Sequence, residues 1–159
     1  MSVAFRREGD DDHLEPTFEL PIPPGPNRVT ATGLALIGTR LAALDAALAS
    51  ESDESRIKAL RREQRYWQTR QSTAELMPIP DGSHVDFGCT ISFSLNGATR
   101  TITIVGDDEA DPKQDKLAFS APLPRAMMGA EPGETVDFAG RADAIIILSI
   151  SVPPAAPVN

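Results

Sequence analysis

The chain has 159 residues, enough for one compact domain or a small domain with an appendage. Its formal charge of −8 argues against gripping a nucleic-acid backbone by bulk electrostatics, which needs a basic stripe, and favours solubility or a partner with basic surface. Cys89 is the sole cysteine, which excludes an intramolecular disulfide and a cysteine-rich zinc site. No uninterrupted apolar run reaches the ~18 residues of a membrane span and no signal-like segment follows Arg6 and Arg7, so a soluble cytoplasmic protein is expected.

Proline placement divides the chain. Five of the fourteen prolines fall between Pro16 and Pro26, none between Asn27 and Met77, and nine from Pro78 onward. Proline inside a helix costs about 3 kcal/mol, so the proline-free window is where long helices can form. Residues 1–29, acidic and then proline-rich, read as an extended, loosely attached arm in which Phe18, Leu20 and Ile22 alternate.

Within residues 30–77, Leu34, Ile37, Leu41, Leu44 and Leu48 recur at spacings of 3, 4, 3 and 4, a heptad seam. Thr30 or Thr32 supplies the N-cap. After an acidic break, Ile57, Leu60, Gln64, Trp67, Gln71 and Ala74 continue the pattern more weakly. Two such helices joined by a short polar turn make an antiparallel hairpin, which Pro78 and Pro80 then end.

From residue 78 to 152 the period falls to two. Val85–Phe87, Thr90–Leu95, Thr101–Val105, Glu134–Phe138 and Ala144–Ser151 read as strands, with Asn96-Gly97 as a hairpin turn. Ile145-Ile146-Ile147-Leu148 reads as a sheet-centre strand, and residues 121–128 as a short helix ended by Gly129. Residues 153–159 are a tail. The expected class is α+β: a helical coiled-coil hairpin followed by a β-rich domain.

The residues between 104 and 111, Ile-Val-Gly-Asp-Asp-Glu-Ala-Asp, resemble the IVG-x-x-EAD element of the bacterial GreA/GreB transcript-cleavage family. Ala121-Pro122-Leu123-Pro124-Arg125-Ala126-Met127-Met128-Gly129 is similar to the family's SPLARALLG segment, and Gly133-Glu134-Thr135-Val136 to its GDEV. Thr30-Ala31-Thr32-Gly33 with Leu36 resembles the opening of its coiled coil, and Glu63, Gln64 and Arg70 fit the descending arm. The resemblance implies an FKBP-like C-terminal domain that docks on core RNA polymerase and a coiled coil that enters the polymerase secondary channel. Nucleic acid would be met only within the polymerase complex, and a monomer is expected. Docking would fall to Asp107, Asp108, Glu109 and Asp111 with Pro122, Leu123 and Arg125.

Cleavage-active members carry a DLSENAEY-type tip whose acids help hold Mg²⁺ at the polymerase active centre. Nothing like it occurs between Leu48 and Ile57, and the interval from Gly33 to Gln64 is about fourteen residues shorter than the family's, which retracts the tip by about 10 Å. Glu51, Asp53 and Glu54 offer carboxylates, and Mg²⁺ wants oxygen ligands. The same residues also serve as a cap and first-turn acids for the second helix. The expectation is a polymerase-binding regulator of elongation, not itself an enzyme, with no cofactor of its own and no efficient cleavage stimulation. Two alternatives stand beside it. One is an active cleavage factor using these tip acids with the polymerase's Mg²⁺. The other is a regulatory binding module, similar to the family's nucleoside diphosphate kinase regulators, with a different partner. Arg61, Arg62 and Arg65 form a basic face on the second helix, a solvated surface or a contact for acidic polymerase surface or RNA. The residue pattern offers no metal site.

Overall fold

The structure is a computed structural model in which residues 19–153 are described. Phe18, the acidic run before it and the tail beyond Pro153 lie outside the described residues. The chain divides into two compact units. One comprises Ile37–Thr73 with the arm up to Gly25, and the other Pro26–Leu36 with everything from Ala74 on.

The proline-free window forms two helices of 20 residues each, α1 (Ala31–Ser50) and α2 (Glu54–Thr73). Thr30 caps α1: its hydroxyl oxygen accepts the Gly33 N–H at 2.9 Å, and its carbonyl accepts the Leu34 N–H at 2.9 Å. Within the first unit the arms are antiparallel. The Gln64 amide donates to Asp45 at 2.7 Å, and the Arg40 guanidinium lies 5.4 Å from the centroid of the Trp67 ring. Stepping back along α1 from 45 to 40 therefore steps forward along α2 from 64 to 67. Ile37, Leu44 and Leu60 are buried and Leu34, Leu41, Leu48, Ile57 and Trp67 half-buried, as the heptad reading expects.

One seam position differs. Gln71 is exposed, and its neighbour Arg70 is 1% exposed instead. The Arg70 charge is engaged by other groups, and no buried side-chain nitrogen or oxygen among the described residues lacks a partner.

α1 is also long and apolar enough, by length and composition, to cross a membrane. Alanine and leucine raise its mean hydropathy, but Thr32, Thr39, Arg40 and Asp45 interrupt it, so it is not an uninterrupted apolar run. Arg40 and Asp45 would then lie near the bilayer centre, where each costs about 2.5–3.5 kcal/mol. Here both are held by side chains of α2.

The second unit begins earlier than composition suggests. β1 (Arg28–Val29) pairs in parallel with β2 (Glu75–Leu76), the Glu75 N–H donating to Asn27 O at 2.8 Å and the Met77 N–H to Val29 O at 3.0 Å. Asn27 and Val29 are 5% and 3% exposed, so these residues are built into the unit rather than part of a loose arm.

The main sheet has five strands: β3 (Thr90–Leu95), β4 (Ala98–Val105), β5 (Lys116–Ala118), β6 (Thr135–Phe138) and β7 (Arg141–Ser151). Their order is β5-β4-β3-β7-β6, all antiparallel except β4 with β5. The β3–β4 turn is Asn96-Gly97 with φ of 50° and 90°, the left-handed pair that this dipeptide favours. Helix α3 (Pro122–Met127) covers one face, where Leu123 and Met127 join Ile91, Phe93, Ile102, Ile104, Ile145 and Ile147 in the core.

Two strand expectations are corrected. Val85–Phe87 is irregular: Asp86 accepts the Phe87 N–H at 2.7 Å and closes a turn with Cys89, although Val85, Phe87 and Cys89 still reach the core. The run 145–148 is not buried on both faces, since Ile146 and Leu148 are exposed while Ile145 and Ile147 are fully buried. β7 pairs on both edges, but its outer face lies open. Ser92 faces Ser149 and Phe93 faces Ile147, so Leu148 is the extra residue of a bulge. The neighbouring outer positions carry hydroxyl pairs, Thr90–Thr103 at 2.8 Å and Ser92–Thr101 at 2.9 Å.

Candidate functional site

Three groups of residues singled out by the sequence fall in three places. The first is the loop after β4. There the two short motifs Thr30-x-x-Gly33 and Ile104-Val105-Gly106-x-x-Glu109, far apart in sequence, meet. The Thr30 hydroxyl donates to Glu109 Oε1 at 2.6 Å while accepting from Gly33 N–H. A methyl group on Gly33 would stand 2.8 Å from that same Oε1. On Gly106 it would stand 2.2 Å from the carbonyl oxygen of Arg28, which no side chain can do without moving β1. The loop and the start of α1 are thus locked by a hydrogen bond and a bare backbone contact.

The acids of this loop have internal roles. Asp107 accepts the Ser120 hydroxyl at 2.7 Å, joining the loop to the approach of α3. Asp111 exchanges both backbone bonds with Lys116 and caps the 3₁₀ turn Pro112–Gln114. Asp108 is half-buried and also engaged. Beside them the Arg28 guanidinium sits 5.4 Å over Phe119, which packs edge-on against Phe87 at 5.6 Å. Pro122 and Arg125 are exposed and available to a partner. Leu123 is not: at 8% exposed it faces the core, and the docking set loses it. At the second position of α3 its side chain lies on the stripe that covers the sheet. Nearby, within the same unit, a groove of about 860 Å³ runs between Thr30, Glu109, Lys116, Thr103 and the exposed apolar residues Leu76 and Ile79.

The second place is the hairpin tip. Asp53 is the N-cap of α2: its Oδ2 accepts the Arg56 N–H at 2.9 Å and its carbonyl the Ile57 N–H at 2.9 Å. Glu51 Oε2 accepts the Asp53 N–H at 3.2 Å and its Oε1 lies 3.7 Å from Arg56 Nε. Glu54 occupies the first turn, where a negative charge complements the helix dipole. Two of the three carboxylates therefore hold the turn together. Among the described residues no three His, Cys, Asp or Glu side chains are grouped so as to hold a metal ion. The tip does not form a Mg²⁺ ligand set by itself.

The third place is the basic face of α2. Lys58, Arg61, Arg62 and Arg65 recur at i, i+3, i+4 and i+7 and share one side of the helix. Arg65 is already taken: its Nε and a terminal nitrogen both donate to the Glu19 carboxylate at 2.8 Å. That fork holds Glu19 below the usual carboxylate range and pushes Arg65 up. The missed residues are Glu19, Arg28 and the buried Asn27. Only the glycines of the two motifs could have signalled a close backbone contact there.

The profile described as Transcription elongation factor, GreA/GreB, C-term matches residues 80–151. Over those residues, under half of its length, the chain is similar to the C-terminal domain of the GreA/GreB family. Among curated relatives, the transcription elongation factor GreA of Pseudomonas putida is 42% identical over 64 residues, 39% of this chain and 40% of that protein. That of Thioalkalivibrio sulfidiphilus is 34% identical over 88 residues, 52% of this chain and 51% of that protein. The chain thus matches about half or less of those relatives' length. Among solved structures, GreA factor homolog 1 of Thermus thermophilus aligns with a TM-score of 0.36 at 15% identity, over 80% of this chain and 99% of that one. The chain keeps the IVG-x-x-EAD loop whole, and the geometry explains two of its letters: Gly106 for the Arg28 contact and Glu109 for the Thr30 bond.

Proposed function

We propose that this chain is a cytoplasmic, monomeric RNA polymerase-binding factor that regulates transcription elongation from the secondary channel without efficient stimulation of transcript cleavage. The observation that carries the reading is the tip. Two of its three acids are committed to capping and bracing the turn, with Asp53 on Arg56 N–H and Glu51 on Asp53 N–H.

Cleavage assistance needs a carboxylate to approach Mg²⁺ to about 2.1 Å. An acid that leaves the cap to do so exposes the helix N–H it satisfied, at about 0.5–2 kcal/mol. The tip therefore enters as a plug rather than as a ligand donor. The intact β-rich unit, with Pro122 and Arg125 exposed beside the braced acidic loop, supplies the docking surface. The relatives carry the name of elongation factor, which supports the class of partner. The chain then supplies no catalytic group of its own and uses no cofactor.

Association with purified core polymerase in a pull-down, with no shortening of the RNA 3′ end in backtracked complexes, is the expected outcome. Mg²⁺-dependent shortening that is abolished by Glu51→Ala with Glu54→Ala would favour an active cleavage factor. Absence of any association with core polymerase would defeat the reading altogether.

A further inference from the structure

Glu19–Ile22 lies along α2 within one compact unit, with a cavity of about 560 Å³ between the segment and Arg65, Tyr66, Gln68, Thr69 and Ser72. Glu19 supplies the anchor, a carboxylate held by the Arg65 fork through two 2.8 Å bonds. Such a bidentate match fixes orientation as well as position. Leu20 and Ile22 then border the cleft beside the Tyr66 ring and the methyl-bearing Thr69, with Pro21 and Pro23 keeping the segment extended. Tyr66 in turn stands edge-on to Trp67 at 5.0 Å, so the cleft wall is backed by the chain's one tryptophan.

The contact is shallow. The side chains of Arg65 and Glu19 remain 53% and 60% exposed, and Leu20 and Ile22 are 37% and 45% exposed. An exposed ion pair contributes little by itself, so nothing here glues the arm down permanently. A shallow contact of this kind is one that a competing segment can displace.

We propose that this face of α2 is a peptide-binding site, covered at rest by the chain's own Glu19–Ile22, and that it accepts a partner's extended segment of the same chemistry, a carboxylate followed by apolar residues at the next and third positions. Arg65 reads the carboxylate, the Tyr66–Thr69–Ser72 surface reads the apolar side chains, and proline-induced extension lowers the ordering cost. The resident segment sets the threshold. On a short tether its effective concentration is on the order of millimolar, so a partner peptide must out-compete it.

The test uses the full chain and a labelled synthetic peptide with the sequence of residues 17–25, followed by fluorescence anisotropy. In Glu19→Arg the resident anchor is repelled and the cleft opens. The peptide is expected to bind this variant roughly tenfold or more tightly than wild type, the factor that removal of the tethered competitor gives. Arg65→Glu is expected to lose the peptide, and a peptide with arginine in place of its glutamate is expected to regain binding to that variant. That swap separates recognition from a folding defect. Replacing both apolar residues of the peptide by serine is expected to weaken it tenfold or more. Equal binding to wild type and Glu19→Arg, or no binding to Glu19→Arg, overturns the proposal. So does an RNA oligomer that displaces the labelled peptide better than unlabelled peptide, which would assign the cleft to nucleic acid. None of these readouts depends on polymerase.

Discussion

Replacing Gly106 by alanine introduces one methyl group 2.2 Å from the Arg28 carbonyl oxygen, 3.4 Å from its carbon and 3.7 Å from Val29 Cα. Real contacts of this kind do not go below 3.0 Å, so β1 must retreat by most of an ångström. The obstacle is backbone and has no rotamer to escape into. β1 is also held from its other side, through the Glu75 N–H to Asn27 O and Met77 N–H to Val29 O bonds of 2.8 and 3.0 Å. Overpacking of this kind costs about 1–3 kcal/mol, and stretching one of those bonds about 1 kcal/mol more. A loss of about 2 kcal/mol corresponds to a fall in Tm of roughly 8–16 °C for a domain of this size. Thermal unfolding by circular dichroism measures it. Gly38→Ala is the matched control: nothing lies within 4 Å of its added methyl, and it sits inside α1. It should gain about 0.5–1 kcal/mol. A Gly106→Ala protein that melts with wild type would refute the close-contact reasoning.

Further outcomes follow from the same geometry. Asp53→Ala should cost the hairpin about 0.5–2 kcal/mol of helical stability, read by urea titration of helical dichroism, because the Arg56 N–H loses its acceptor. The arm contact should respond to acid. Glu19 has a lowered pKa through its Arg65 hydrogen bonds, so the contact is fully present above the unfolded-state value of 4.5 and is lost as pH falls through the folded value. Trp67 fluorescence between pH 6 and 2.5 should shift in that window and stay flat in Arg65→Ala. Cys89 is fully buried and desolvation raises its thiol pKa, so alkylation at pH 8 should lag a free thiol by about a hundredfold or more and accelerate with urea. Phe93→Ala should cost about 3–5 kcal/mol, and Leu148→Ala, on the exposed bulge, within about 0.5 kcal/mol.

Features encoded locally were legible in the sequence. Proline-free length and a heptad seam located α1 and α2, and Asn96-Gly97 located the β3–β4 turn, because each depends on residues within one or two turns of chain. Features encoded by distant contacts were not. β1 and β2 are two residues each and exist only because Arg28 and Val29 meet Glu75 and Leu76 across 47 positions in register. β5, three residues long, is a strand by virtue of its parallel pairing to Thr103–Val105. Val85–Phe87 alternates like a strand, yet the Asp86 side chain accepts the Phe87 N–H and turns the chain first. The apolar run 145–148 carried no sign of which face would be left open. For the candidate sites, residue type was legible and engagement was not: Leu123 and Arg125 are two positions apart, one buried and one exposed, and only α3's packing separates them.

The central claim is that the tip acids brace a turn and do not assist cleavage. Its most direct measurement is RNA length in a stalled, backtracked elongation complex of core polymerase, with Mg²⁺ present and this protein added at saturation. The account predicts an unchanged RNA 3′ end, together with slower cleavage when an active transcript-cleavage factor is then supplied. Prompt Mg²⁺-dependent shortening that disappears on substituting Glu51 and Glu54 would contradict it.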